Sequence, residues 1–74
     1  MMFIIYGTST CVWCDRAKEF LNERREDYSF RNIENPHYFE NYKYDFPGAK
    51  TVPQIITPDG NKIGGFDALV ELFH

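Results

Sequence analysis

The chain has two cysteines, Cys11 and Cys14, three residues apart in the stretch "GTSTCVWCDRAKEFL" from Gly7 to Leu21. Such a pair can be a structural staple, half of a metal site, or a redox couple that opens and closes. On a helix, residues i and i+3 share a face with Cβ atoms about 5–6 Å apart. A disulfide needs Cα atoms about 4.4–6.8 Å apart, so the pair can close and reopen with little backbone movement. Cys11 stands just before a helical pattern, where unsatisfied N–H groups and the positive end of the helix dipole favour S⁻ over SH. Thiols in that setting ionise at about pH 3.5–7.5, against about 8.5 for a free thiol. Cys14, one turn inside, is better shielded and keeps its proton. Cys11 is therefore expected to attack and Cys14 to resolve.

The other two readings have less support. A bridge closing so small a loop constrains little of the unfolded chain. Zinc takes four ligands, usually from a second Cys-x-x-Cys or from two histidines at short spacing. Here only His37 and His74 remain, far apart in sequence. No mononuclear metal site and no tightly bound cofactor are expected; a cluster bridging two chains stays open as an alternative.

The elements that must hold the cysteines can be read from the pattern. Phe3 to Tyr6 is apolar and β-prone and is closed by Gly7, which gives a short buried strand. Val12 to Arg25 lacks Gly and Pro, and Trp13, Ala17, Phe20 and Leu21 fall on one helical face. Asp15 in its first turn and Arg24-Arg25 in its last suit the helix dipole. "YSFRNI" (Tyr28–Ile33) alternates as a second strand. Asn35-Pro36 reads as an N-cap and first helical residue, opening a helix through about Tyr44 with Phe39, Tyr42 and Phe46 toward the core. "PQIIT" (Pro53–Thr57) is a third strand, "PDGN" a hairpin turn, "KIG" a fourth strand and "FDALVELFH" a closing helix. The order is β-α-β-α-β-β-α: an α/β fold whose first β-α-β unit is parallel and whose hairpin is antiparallel.

At 74 residues the chain is expected to be one domain, residues 1–74. Its net charge is −3. The basic group Arg16, Lys18, Arg24 and Arg25 is interleaved with Asp15, Glu19, Glu23 and Glu26, a charge-balanced helix face rather than a nucleic-acid footprint. "MMFIIY" is too short to span a bilayer and carries no basic n-region or cleavage site. The expectation is a cytoplasmic protein with no membrane partner, in a compartment where permanent disulfides are rare.

Two further stretches bear on the site. "TVPQI" (Thr51–Ile55) sets a proline at a strand start, and "GGFDAL" (Gly64–Leu69) sets two glycines before a helix N-terminus, a seat for a carboxylate. Together with "CVWC", and at these separations, they resemble the glutaredoxins, a thioredoxin-fold family, and especially its small phage-encoded members. The resemblance covers nearly the whole chain and is weakest from Tyr28 to Lys50.

It implies a four-stranded mixed sheet flanked by three helices, with Cys11 as nucleophile and Cys14 as resolving cysteine. It implies a cis Val52-Pro53 peptide facing the disulfide, and glutathione as co-substrate. Thr51, Val52 and Pro53 would line the glutathione site, with the Val52 backbone pairing to the cysteinyl part. Gly65, Phe66 and Asp67 would hold the γ-glutamyl end, and Trp13, where the family usually has tyrosine, would wall the thiol. The implied activity is reduction of protein disulfides and glutathione mixed disulfides by a monomer, with ribonucleotide reductase as the protein client. Three positions depart from the family pattern. Val12 replaces a proline, Thr8 replaces a Lys or Arg for which Lys50 could substitute, and Ala68 replaces a polar residue. Thr8 and Val12 keep a rival open: a thioredoxin-like reductant recharged by thioredoxin reductase. An iron–sulfur carrier is the alternative from another class, although its usual Cys-Gly-Phe-Ser site is absent.

Overall fold

The computed structural model describes residues 2–74. Strand β1 (Phe3–Gly7), helix α1 (Val12–Glu23), β2 (Tyr28–Asn32), α2 (Pro36–Asp45), β3 (Gln54–Ile56), β4 (Lys62–Gly64) and α3 (Phe66–Leu72) follow in that order. The four strands form one mixed sheet in the order β2-β1-β3-β4. β1 runs parallel to β2, with Phe3 opposite Tyr28 and Gly7 opposite Asn32. It runs antiparallel to β3, with Ile4 opposite Ile56 and Tyr6 opposite Gln54. The β3–β4 hairpin is antiparallel, with a register shift between Ile55 and Ile56.

Because side chains alternate along a strand, β1 feeds two cores. Phe3 and Ile5 join Ala17 and Leu21 of α1, Ile55, and Leu69 of α3 on one face of the sheet. Ile4 and Tyr6 join Tyr42 of α2 and Ile56 on the other. Ile5, Leu21, Ile55 and Leu69 are fully buried, a gain of about 1.5–3 kcal/mol for each such side chain.

The element order and sheet match the sequence expectation; several details do not. α1 stops at Glu23, so Arg24 is its C-cap and neither arginine lies in the last turn. The Arg25 N–H donates to the Asn22 carbonyl and the Glu26 N–H to the Leu21 carbonyl. Arg25 itself has φ +57°, so it takes the left-handed position that glycine usually fills at such a helix end. Ile33 falls in a turn, β3 covers only Gln54–Ile56, and α3 closes at Leu72. On α2, Asn35 caps as expected by accepting from the His37 N–H, and Tyr42 is buried. Phe39 faces solvent instead, because Tyr42 and Phe46 already fill the space beneath Tyr6.

Candidate active site

Cys11 is the N-cap of α1, with extended backbone (φ −96°, ψ 111°). An N-cap side chain is aimed at the first free N–H groups of its helix. Here the Cys14 N–H donates to Cys11 Sγ at 3.1 Å. The two sulfurs are paired as a disulfide, with Cα atoms 5.2 Å apart. Cys11 keeps partial exposure while Cys14 is fully buried. Cys14 therefore belongs to the core-facing line of α1 with Ala17 and Leu21.

That assignment displaces Trp13, which the helical pattern had grouped with Ala17 and Leu21. Trp13 lies in the first turn of α1, where its ring meets Phe66 at the wall of an open cleft instead of the packed interior. The residue is 54% exposed, and its ring lies 5.7 Å from the Phe66 ring and carries the Arg16 guanidinium at 5.3 Å.

Across from Cys11 runs the segment entering β3. Val52-Pro53 is cis, and the Val52 carbonyl oxygen lies 3.7 Å from Cys11 Sγ. Val52 precedes β3, so its backbone edge is not taken up by pairing with β1. The segment is secured from behind. The Tyr42 hydroxyl donates to the Thr51 carbonyl at 3.0 Å, and Gln54 Nε2 reaches the same oxygen at 3.2 Å. Burial pushes the Tyr42 hydroxyl above its ordinary pKa, which keeps it a donor.

Between these parts opens a cleft of about 590 Å³. Trp13 lines it from α1, Thr51, Val52 and Pro53 from the β3 approach, and Gly65 to Ala68 from the start of α3. The structure thus brings together all seven residues that the resemblance assigns to glutathione, beside the cysteine pair. Lys50, expected to stand in for a missing cation, is exposed and is not among the lining residues. His37 and His74 are both exposed.

Sequence reasoning missed three supports of the site. Tyr42 appeared only as a core aromatic. Ser9, two residues before Cys11, donates through Oγ (2.9 Å) and N–H (3.4 Å) to Glu34 Oε1. Contacts with Asn32 and then Ser9 hold the Glu34 carboxyl below its ordinary pKa. Gly7 read as a strand stop, yet it is the last residue of β1 and lies against Cys14. None of these pairs is close in sequence, so no local pattern marks them.

A family model described as glutaredoxin matches residues 3–63. The chain belongs to the glutaredoxin family. The glutaredoxin of Enterobacteria phage T4 is 36% identical over 86 aligned residues, covering 97% of this chain and 99% of that one. Glutaredoxin 1 of Rickettsia conorii is 36% identical over 73 residues, covering 93% of this chain and 69% of its own. Among solved structures, the glutaredoxin-like NrdH-redoxin from Escherichia coli superposes with a TM-score of 0.78 at 25% identity. That match covers 100% of this chain and 96% of that one. A buckwheat glutaredoxin–glutathione complex gives a TM-score of 0.79 at 20% identity, covering 96% of this chain and 66% of that one, a likeness of fold. This glutaredoxin is a thiol–disulfide oxidoreductase with a Cys11-x-x-Cys14 pair. Among its described residues no helix is long and apolar enough to cross a membrane.

Proposed function

We propose that this glutaredoxin, acting as one domain over residues 1–74, is a glutathione-linked dithiol reductant of protein disulfides and glutathione mixed disulfides. The observation that carries the reading is the cleft lined by Val52 and by Gly65 to Asp67, whose Val52 carbonyl lies 3.7 Å from Cys11 Sγ. A γ-glutamyl-cysteinyl-glycine lying there would put its sulfur beside Cys11. The free Val52 edge would pair with its cysteinyl backbone, as an added strand does. Gly65 and Phe66 would offer N–H groups to the γ-glutamyl carboxylate, and the Asp67 carboxylate would meet its ammonium. Trp13 and Phe66 would supply an apolar wall.

In the reduced protein the Cys14 N–H and the start of α1 stabilise a thiolate on Cys11. That thiolate attacks the target disulfide, forming a Cys11 mixed disulfide and releasing one target thiolate. Cys14 then attacks the Cys11 sulfur, which releases the second target sulfur and closes the Cys11–Cys14 bond. Glutathione reopens it. Ribonucleotide reductase is the protein client proposed, in a cytoplasmic setting and with the protein as a monomer.

A second reading has its own support. The Escherichia coli NrdH-redoxin has a thioredoxin-like activity profile, and Thr8 and Val12 stand where glutaredoxins usually carry a cation and a proline. Recycling by thioredoxin reductase would then replace recycling by glutathione.

The test is a coupled assay with glutathione, glutathione reductase and hydroxyethyl disulfide, alongside insulin reduction, on wild type, Cys11→Ser and Cys14→Ser. Cys11→Ser should lose both activities. Cys14→Ser should keep the glutathione mixed-disulfide reaction and lose insulin reduction. Turnover with thioredoxin reductase and none with glutathione would replace the first reading by the second.

A further inference from the structure

Gly7 ends β1 directly beneath Cys14. A Cβ built on Gly7 would overlap Cys14 Sγ, lie 3.2 Å from Cys14 Cβ and come within 2.9 Å of Phe30 Cε1. The backbone of β1 and the sulfur of α1 are therefore packed against each other with no room for a methyl group. Gly7 does not need its freedom of φ here, since the positive-φ glycines of the chain are Gly48, Gly60 and Gly64. What the position requires is the missing side chain.

We infer that Gly7 is a positioning residue for the resolving step: its bare backbone sets where Cys14 Sγ sits and so controls closure onto Cys11. This deepens the proposed dithiol function and rests on Cys14 being the resolving sulfur. In that step the Cys14 thiol gives its proton to solvent and its thiolate attacks Cys11 Sγ of the mixed disulfide. The Cys11–Cys14 bond forms, the bond from Cys11 to the client sulfur breaks, and the client thiolate leaves with the electron pair and is protonated by water. While Cys14 is a free thiol its Sγ can rotate away from an added methyl at residue 7, so that only the Phe30 ring and the Cys14 Cβ, at 2.9 and 3.2 Å, have to shift. The methyl opposes closure, because a bonded sulfur has one place to be. Cys11 is untouched by the change, so the reaction that needs Cys11 alone continues.

The experiment compares wild type, Gly7→Ala and Cys14→Ser in the two assays. Mixed-disulfide intermediates are trapped by acid quench and weighed by mass spectrometry. Gly7→Ala should lower insulin reduction by about tenfold or more, a barrier change of about 1.4 kcal/mol, and should accumulate the Cys11 mixed disulfide. Its glutathione mixed-disulfide reaction should stay near wild type. A general loss of structure would depress both reactions together, so the split is the signature. If Gly7→Ala matches wild type in both assays while Cys14→Ser shows its split, the inference on Gly7 is overturned and the function stands. If Cys14→Ser reduces both substrates as well as wild type, the resolving role itself is overturned.

The Phe30 ring is the other obstruction, and Gly7→Ala/Phe30→Leu removes it. Persistence of the split in that variant supports the role of the sulfur; recovery of insulin reduction assigns the constraint to the ring and overturns the inference. Should neither variant fold, adding Cys14→Ala must restore folding. Failure to restore it also overturns the inference.

Discussion

Replacing Tyr42 with phenylalanine removes one hydroxyl and leaves the ring that packs 5.9 Å from Tyr6 and 6.4 Å from Phe46. The lost interaction is the donation to the Thr51 carbonyl at 3.0 Å. A hydrogen bond of this kind contributes about 0.5–1.5 kcal/mol net. Gln54 Nε2 still reaches the same oxygen at 3.2 Å, so the acceptor is not stranded, and about 1 kcal/mol is the expected cost. For 74 residues the unfolding entropy is about 155 cal/mol/K, so Tm should fall by about 6 °C. The same carbonyl belongs to the segment that presents Val52 to the cleft. If that 1 kcal/mol is felt in substrate placement, KM for a glutathione mixed disulfide rises by about fivefold, with kcat unchanged. Thermal melts and initial-rate kinetics on Tyr42→Phe read both quantities. A lower Tm with an unchanged KM would mean that the bond secures the fold and does nothing for the cleft. No change in either would mean that the bond is not made in solution.

Asp67→Asn should raise KM for glutathione substrates by up to about fivefold, as fits an exposed carboxylate worth at most about 1 kcal/mol. The effect should shrink in high salt; equal KM values for the two proteins at low salt would remove Asp67 from the site. Glu34, whose folded pKa lies below the ordinary 4.5, contributes stability that is present above that value and lost as pH falls through the lower folded one. The Tm gap between wild type and Glu34→Gln should therefore hold at neutral pH and close in acid. A gap that persists at acid pH would show that charge on Glu34 is not what Ser9 and Asn32 hold. Thiolate absorbance of the reduced protein should reveal one sulfur ionised below about pH 7.5. Silence from both sulfurs until above about pH 8.5 would remove the basis for Cys11 as nucleophile.

The cysteine pair, the strand before it and the helix after it were legible because each is a local pattern: an apolar run, a Gly- and Pro-free stretch, a spacing of three. The Val52-Pro53 geometry and the meeting of Thr51–Pro53 with Gly65–Asp67 were reached only through the family resemblance, since spacing alone does not bring residue 13 beside residue 66. Trp13 was misplaced because apolarity was taken as a sign of burial, whereas Cys14, a small residue, occupies the inward position. Phe39 was misplaced for a related reason. α2 has more aromatics than its one inward stripe can bury, and which of them turn inward depends on Tyr6 from another strand. Tyr6 also illustrates what no helical or strand pattern encodes: its buried hydroxyl donates to Asp45 at 2.7 Å and accepts from Arg31 at 2.9 Å.

β1 separates two packing units, one on each face of the sheet. Cys14 is seated on the side filled by Ile5, Leu21 and Leu69, while Val52 rests on the side filled by Tyr6, Tyr42 and Ile56. The 3.7 Å separation of Cys11 Sγ from the Val52 carbonyl is thus set from two cores and adjustable by volume changes in either. Trimming Ile56 or Phe46 should let the Val52 edge sink away from Cys11 while the sulfurs stay where they are. On the function proposed above, grip on the tripeptide and ease of ring closure could in this way drift independently under mutation.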